Sequence, residues 1–203
     1  MEYLLHFVLG IFSTYLGLLA PGMLNMTAVQ ITIDKGTKFA HSFSAGASLI
    51  VFGQAGIALF FTTYLNKHPN ILEFIENVGV FVFFALAIMF FMKTRSKVNF
   101  RKQRKKRKGT YFFRGLFMSM MNMLAIPFYL VISTYLGTKG LLLMEFEYIL
   151  IFIIGTMFGA YLIFYTYISF AEIIIKRANF IARNINYILS LLFLFLGIYT
   201  LVK

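Results

Sequence analysis

Apolar residues recur in six long runs along the chain, at about 3–33, 40–64, 71–92, 110–136, 148–171 and 184–202. Each run can supply the roughly 20 mainly apolar residues that a helix needs to cross about 30 Å of hydrocarbon. The chain has only three prolines, and two of them, Pro21 and Pro127, fall inside the first and fourth runs. Proline in a helix interior removes a backbone hydrogen bond and clashes with the preceding turn. The pattern therefore predicts interruptions at Ala20-Pro21-Gly22-Met23-Leu24-Asn25 and at Asn122-Met123-Leu124-Ala125-Ile126-Pro127. Broken backbone at membrane depth is tolerated only inside protein or beside a watery cavity. The two breaks are thus the first places to look for a site, and Asn25 and Asn122 beside them are its first candidate residues.

Polar residues in the broken runs keep helical spacing. Ser119, Asn122, Tyr129 and Ser133 share one face, as do Thr14, Gly17, Pro21 and Asn25. Such stripes turn toward protein rather than lipid, either to join helix to helix or to line a site. In the second run Gly46, Gly53 and Gly56 permit close backbone approach, and in the fifth Gly155 and Gly159 form a small-xxx-small pair. Gln54 stands apart, because an amide in mid-span is costly without a partner. Tyr161 and Tyr165, one turn apart, could present ring faces to an ammonium group or simply fill a helix interface.

Composition agrees with the pattern. The 203 residues are 60% hydrophobic and 13% charged, with a mean hydropathy of +0.82, which describes an integral membrane protein. No Lys or Arg precedes the first run, so it reads as a retained span rather than a secretory signal. Residues 1–203 make one transmembrane domain, with halves 1–92 and 110–203 around a basic loop, 93–109. That loop carries ten Lys and Arg in seventeen residues and accounts for most of the net charge of +12. Between two spans it reads as a cytoplasmic loop under the positive-inside rule, able to grip anionic lipid headgroups, and not as a nucleic-acid site.

With 93–109 inside, the connections 34–39 and 172–183 are also inside and both termini lie outside. Sixteen of the nineteen Lys and Arg then fall on the inner side, leaving Lys67, Lys139 and Lys203 outside. Three spans per half means that the second half enters the membrane upside down relative to the first. The expected fold is an all-α membrane protein of six transmembrane helices in two inverted three-helix repeats, the first and fourth helices interrupted by proline. In that plan, interrupted segments at matching places mark a midplane site.

Catalytic chemistry has little to work with. The chain has no cysteine, His6, His41 and His68 lie near span ends without metal-ligand spacing, and no carboxylate sits in mid-span. No phosphate-binding glycine loop is present. The chain reads as no enzyme, with no cofactor and no metal site. Asp34 and Glu172, at inner span ends, are the candidates for coupling to an ion.

Pro21-Gly22, the turn Asp34-Lys35-Gly36-Thr37-Lys38, the glycine-dotted second run and Asn122 to Phe128 after a long basic loop together resemble the LysE/RhtB family of bacterial amino-acid exporters. The resemblance spans essentially the whole chain. It departs where the family's first motif reads Pro-Gly-Pro and this chain has Pro21-Gly22-Met23. It departs again where an Asn-Pro pair has become Asn122-Met123 with Pro127 four residues on from Met123. Many relatives also carry an acid in the second span, where this chain has Gln54. The resemblance implies a secondary transporter exporting amino acids or related small metabolites by alternating access across the bacterial cytoplasmic membrane.

Physical chemistry suggests how such a solute would be held. A broken helix offers the positive N-terminal end of one half and the negative C-terminal end of the other, and a zwitterion matches that pair. The carboxylate would lie near the amides of Gly22 to Asn25 and Phe128, and the ammonium near carbonyls of Leu18 to Ala20 and Met120 to Asn122. Pro21, Gly22, Asn25, Gln54, Asn122, Pro127, Tyr129, Tyr161 and Tyr165 are the expected substrate-binding residues. A non-transporting membrane scaffold, or an exporter of another small solute such as a metal ion, is the alternative, and the chain is compatible with a homo-oligomer.

Overall fold

The structure, a computed structural model, describes residues 1–66, 84–85, 87–88, 91–92, 108–122 and 124–202. Most of the expected span 71–92, the basic loop from 93 to 107 and Met123 lie outside the described residues. The described residues form seven α-helices: α1 (Glu2–Gly17), α2 (Met23–Lys35), α3 (Thr37–Asn66), α4 (Lys108–Met120), α5 (Ala125–Thr138), α6 (Phe146–Ser169) and α7 (Ala171–Val202).

The segment from Thr37 to Tyr64 within α3, and α6, are each long and apolar enough to cross a membrane. The pair formed by α4 and α5 reaches that standard together, bent by 64° at its break. Their outer faces are what water would reject and lipid accepts: Phe60, Phe113 and Phe117 are each more than 60% exposed. The polar residues are inside instead. Thr14, Asn25, Gln54, Ser119, Ser133 and Thr156 are all buried.

One connection differs from the expectation. Residues 172–183 are not a loop but part of α7, which starts right after Phe170. Apolar and charged residues there follow helical spacing, and no Gly or Pro lies between Ala171 and Arg183 to stop the helix. The turn from α2 into α3, by contrast, is made by one residue, Gly36, at a φ of 99° that a side chain would resist.

The chain forms two compact units. One comprises Met1–Tyr64 with Lys102–Ile175, the other Leu65–Arg101 with Lys176–Lys203. Within the second, Ser190 Oγ donates to the Ala87 carbonyl at 2.9 Å, and the rings of Phe91 and Tyr187 meet edge to face.

Two glycine-lined seams organise the first unit. On one, α1 lies against α6: a Cβ added at Gly10 would overlap the Phe152 carbonyl, and one at Gly155 would overlap that of Phe7. On the other, α4 lies against α3: a Cβ at Gly46 would overlap the Phe112 carbonyl, and one at Gly115 that of Phe43. Contact positions rise together along both pairs, from Phe7–Gly155 to Ile11–Gly159 and from Gly46–Phe112 to Gln54–Ser119. Both seams are therefore parallel helix pairs, of the close small-residue type that membrane helices favour.

Candidate functional site

The first break occupies Leu18 to Gly22, between α1 and α2. Pro21 stands at the centre of a tight turn closed by the Gly22 amide donating to the Ala20 carbonyl at 2.7 Å, the hydrogen-bond pattern of a γ-turn. Gly22 is exposed, and its nearest constraint is an ordinary contact with the Ala20 carbonyl, so the fold does not itself demand glycine there. Asn25, in the first turn of α2 and 3% exposed, folds back on the break. Its amide nitrogen donates to the Leu18 carbonyl at 2.6 Å and to that of Ala20 at 3.0 Å. The Tyr167 hydroxyl, reaching across from α6, donates to the Leu19 carbonyl at 2.7 Å. Three successive carbonyls freed by the break thus have side-chain donors, which is how irregular backbone avoids the cost of unpaired groups away from water.

The second break runs from Met121 to Leu124, before Pro127 rather than at it. Pro127 is the third residue of α5, where the missing amide hydrogen would have had no helical partner, and its ring is exposed. The interruption expected at this proline therefore begins four residues before its first-turn neighbour Ala125. Here the donor comes from α3: the Gln54 amide nitrogen donates to the Ser119 carbonyl at 2.9 Å and to that of Asn122 at 3.3 Å. Asn122 enters through its backbone, and its half-buried side chain makes no hydrogen bond among the described residues.

The two breaks belong to one neighbourhood. Gly17, the last residue of α1, lies under the Phe128 ring so closely that a Cβ would overlap it. One turn earlier, Thr14 Oγ1 and the Tyr129 hydroxyl share a buried hydrogen bond of 3.1 Å. The negative end of α1 thereby meets the positive start of α5. Leu24 at the start of α2 and Met118 near the end of α4 belong to one apolar cluster with Phe43, Tyr111 and Phe164.

Of the residues expected at the site, Pro21, Gly22, Asn25, Gln54, Asn122 and Tyr129 lie at or beside the breaks. Tyr161 and Tyr165 do not. The positions of α6 that face α1 are Gly155, Gly159, Ile163 and Tyr167, at steps of four; two residues along a helix turns a side chain to about the opposite face. Tyr161 and Tyr165 are accordingly exposed and gather on His41, whose Nδ1 lies 3.1 Å from the Tyr161 hydroxyl. The tyrosine that reaches the break is Tyr167, and the four-residue repeat begun by the two glycines was the signal pointing to it. Asp34 is half-buried and accepts from the Gln30 amide at 2.8 Å, whereas Glu172 is exposed in the first turn of α7.

Ser119 gains importance from the structure. It is fully buried, and its hydroxyl has no partner among the described residues, as is true of Gln54 Oε1. Two bare oxygens therefore sit at the second break. The other members of the polar stripes have structural duties: Ser133 pairs with Thr62 at 2.7 Å, and Tyr129 with Thr14.

Broken helices meeting inside an apolar-surfaced bundle, their free ends held by buried amides, are an arrangement from which membrane transporters build midplane sites. A family model described as LysE type translocator matches residues 15–203. The chain belongs to that family, and it is a multi-pass membrane exporter of a small molecule. No curated protein and no solved structure matches it.

Proposed function

We propose that the chain exports amino acids or closely related small metabolites by alternating access, with the solute held between the two helix breaks. The carrying observation is the reciprocal wiring of the first unit. Helix α1 of the first half packs in parallel on α6 of the second, and α4 of the second half packs in parallel on α3 of the first. Each break is served by the partner helix of that exchange: Tyr167 of α6 reaches the first, Gln54 of α3 the second. This is the relation two inverted three-helix repeats would produce, and such repeats can rock about a shared midplane site. A solute carboxylate would take the uncapped amides at the start of α2, whose N-cap Gly22 offers no side chain. In this reading the basic loop and α7's first turn face the cytoplasm, the loop rests on anionic headgroups, and Asp34 is the better-placed coupling acid because it is tied to buried Gln30.

The test is transport by the purified protein in liposomes, with a panel of radiolabelled amino acids, small amines and divalent metals under imposed proton and sodium gradients. Saturable, gradient-driven movement of an amino acid is expected. Movement of none of them by correctly inserted protein would reject the reading, and movement of a metal alone would replace it.

A further inference from the structure

Five buried side-chain oxygens have no hydrogen-bond partner among the described residues: Gln30 Oε1, Ser48 Oγ, Gln54 Oε1, Tyr111 OH and Ser119 Oγ. All five belong to α2, α3 and α4; among the described residues α1, α5 and α6 contribute none. Two of them belong to residues that are bonded neighbours at the end of α4, since the Gln54 amide nitrogen donates to the Ser119 carbonyl at 2.9 Å.

We infer that Gln54 Oε1 and Ser119 Oγ are ligands of a cation subsite at the second break, one that takes a compact monovalent cation: the ammonium head of the exported solute or a free alkali-metal ion. The amide's orientation is fixed by its surroundings. Its NH2 group satisfies two carbonyls, and turning it over would set oxygen against oxygen at both. The group left facing away is thus an acceptor only, 93% withdrawn from solvent with its residue, and it requires a donor or a positive charge. The Ser119 hydroxyl is bare as well. Several buried hydroxyls return their proton to the preceding turn, as Ser44 does to Ala40 and Thr62 to Ala58, while Ser48, like Ser119, does not. Both oxygens lie at the C-terminal end of α4, where the helix dipole is negative. No carboxylate is needed for a monovalent ion held by neutral oxygens, and none of the residues bonded at this break is one.

The first break offers no counterpart, since its three carbonyls have Asn25 and Tyr167 as donors. The ammonium half of the zwitterion therefore belongs at the second break alone. The ammonium form of this assignment rests on the export reading above; the alkali-metal form does not.

The experiment is thermal unfolding of the purified full-length protein in detergent, titrated with methylammonium chloride or sodium chloride against choline chloride at equal ionic strength. Choline is the reference because it carries a charge but has no N–H and is far bulkier than methylammonium or sodium. Wild-type protein should show a saturable rise in midpoint with methylammonium or sodium over choline. Ser119→Ala removes no protein hydrogen bond, so its cation-free midpoint should equal or exceed that of wild type, and its apparent affinity for the cation should fall at least tenfold. Ser119→Cys, nearly isosteric but a poor ligand for such cations, carries the same test if the alanine variant does not fold. A response to methylammonium alone assigns the subsite to the solute, and a response to sodium alone assigns it to a free ion. No rise over choline in wild type, or an unaltered response in the serine variants, overturns the subsite. Amino-acid export with the same KM in Ser119→Ala would overturn it while leaving the export reading intact. A cation response lost in Ser119→Ala without any amino-acid export would keep the subsite and remove the export reading.

Discussion

At the first helix break, Leu18, Leu19 and Ala20 each pass their carbonyl to a buried side-chain donor, and the amides at the start of α2 stay without a side-chain cap. At the second, one amide serves two carbonyls and leaves its own oxygen and the neighbouring serine hydroxyl bare. The breaks are alike as backbone and unlike as chemistry. A break whose carbonyls are all paired is a fixed joint, with amides to offer an anion but no bare carbonyl to offer a cation. A break with two unpaired buried oxygens carries a standing penalty of about 1–3 kcal/mol per group, which a ligand can relieve. The first therefore shapes the bundle and the second has affinity to spare, although the same kind of interruption made both.

The comparison can be attacked from both sides. The largest effect is expected for Gln54→Leu, which strips the donors from two buried carbonyls and removes the proposed ligand oxygen. Stability should fall by about 2–4 kcal/mol, and initial export rates in liposomes should drop at least a hundredfold. Close behind, Gly10→Ala and Gly115→Ala each drive a methyl group into a backbone carbonyl across a seam. Each should cost about 1–3 kcal/mol, read as a lowered thermal midpoint, while Gly53→Ala, which meets nothing within 4 Å, should leave the midpoint unchanged. If the two seams are equivalent, the two costs will be similar; a large disparity would break the reciprocal arrangement.

Asn25→Ala takes donors from Leu18 and Ala20 but leaves Tyr167 on Leu19. It should cost about 1–3 kcal/mol and abolish export without preventing insertion, whereas its effect on cation-dependent stabilisation should be small. An Asn25 variant that transports normally would show that the first joint need not be rigid. Smaller is the effect of Tyr167→Phe, which deletes one hydrogen bond worth about 1 kcal/mol and keeps the ring; export should fall several-fold. Tyr161→Phe and Tyr165→Phe should change export less than twofold, and a larger loss would bring those exposed rings back toward the transport path.

Much of this was legible in the chain because membranes punish ambiguity. Apolar runs of span length fix the class, an all-α membrane protein, and a proline within a run marks a local failure of helix. Even Asn25 and Gln54 declare themselves, since an amide in an apolar run must find a partner. Tyr161 and Tyr165 were misleading for a geometrical reason: aromatic character says nothing of which way a side chain points, and the facing direction of α6 was set by where glycine lets α1 approach. Pro127 shows a related limit. Proline forbids a helix upstream of itself but is welcome in a first turn, so its position bounds a break without locating it.

Sequence alone, then, determined that this is an apolar helical chain with two interrupted segments, because hydrophobicity and backbone chemistry are properties of residues and their near neighbours. Only the tertiary structure decided that α1 lies on α6 and α4 on α3, and that the two breaks meet at Gly17 and Phe128. It also decided that the carbonyls of one break are paired while the other keeps two bare side-chain oxygens. Those outcomes depend on which donor arrives at which carbonyl across 65 to 148 residues of chain, and no local pattern encodes an encounter at that separation.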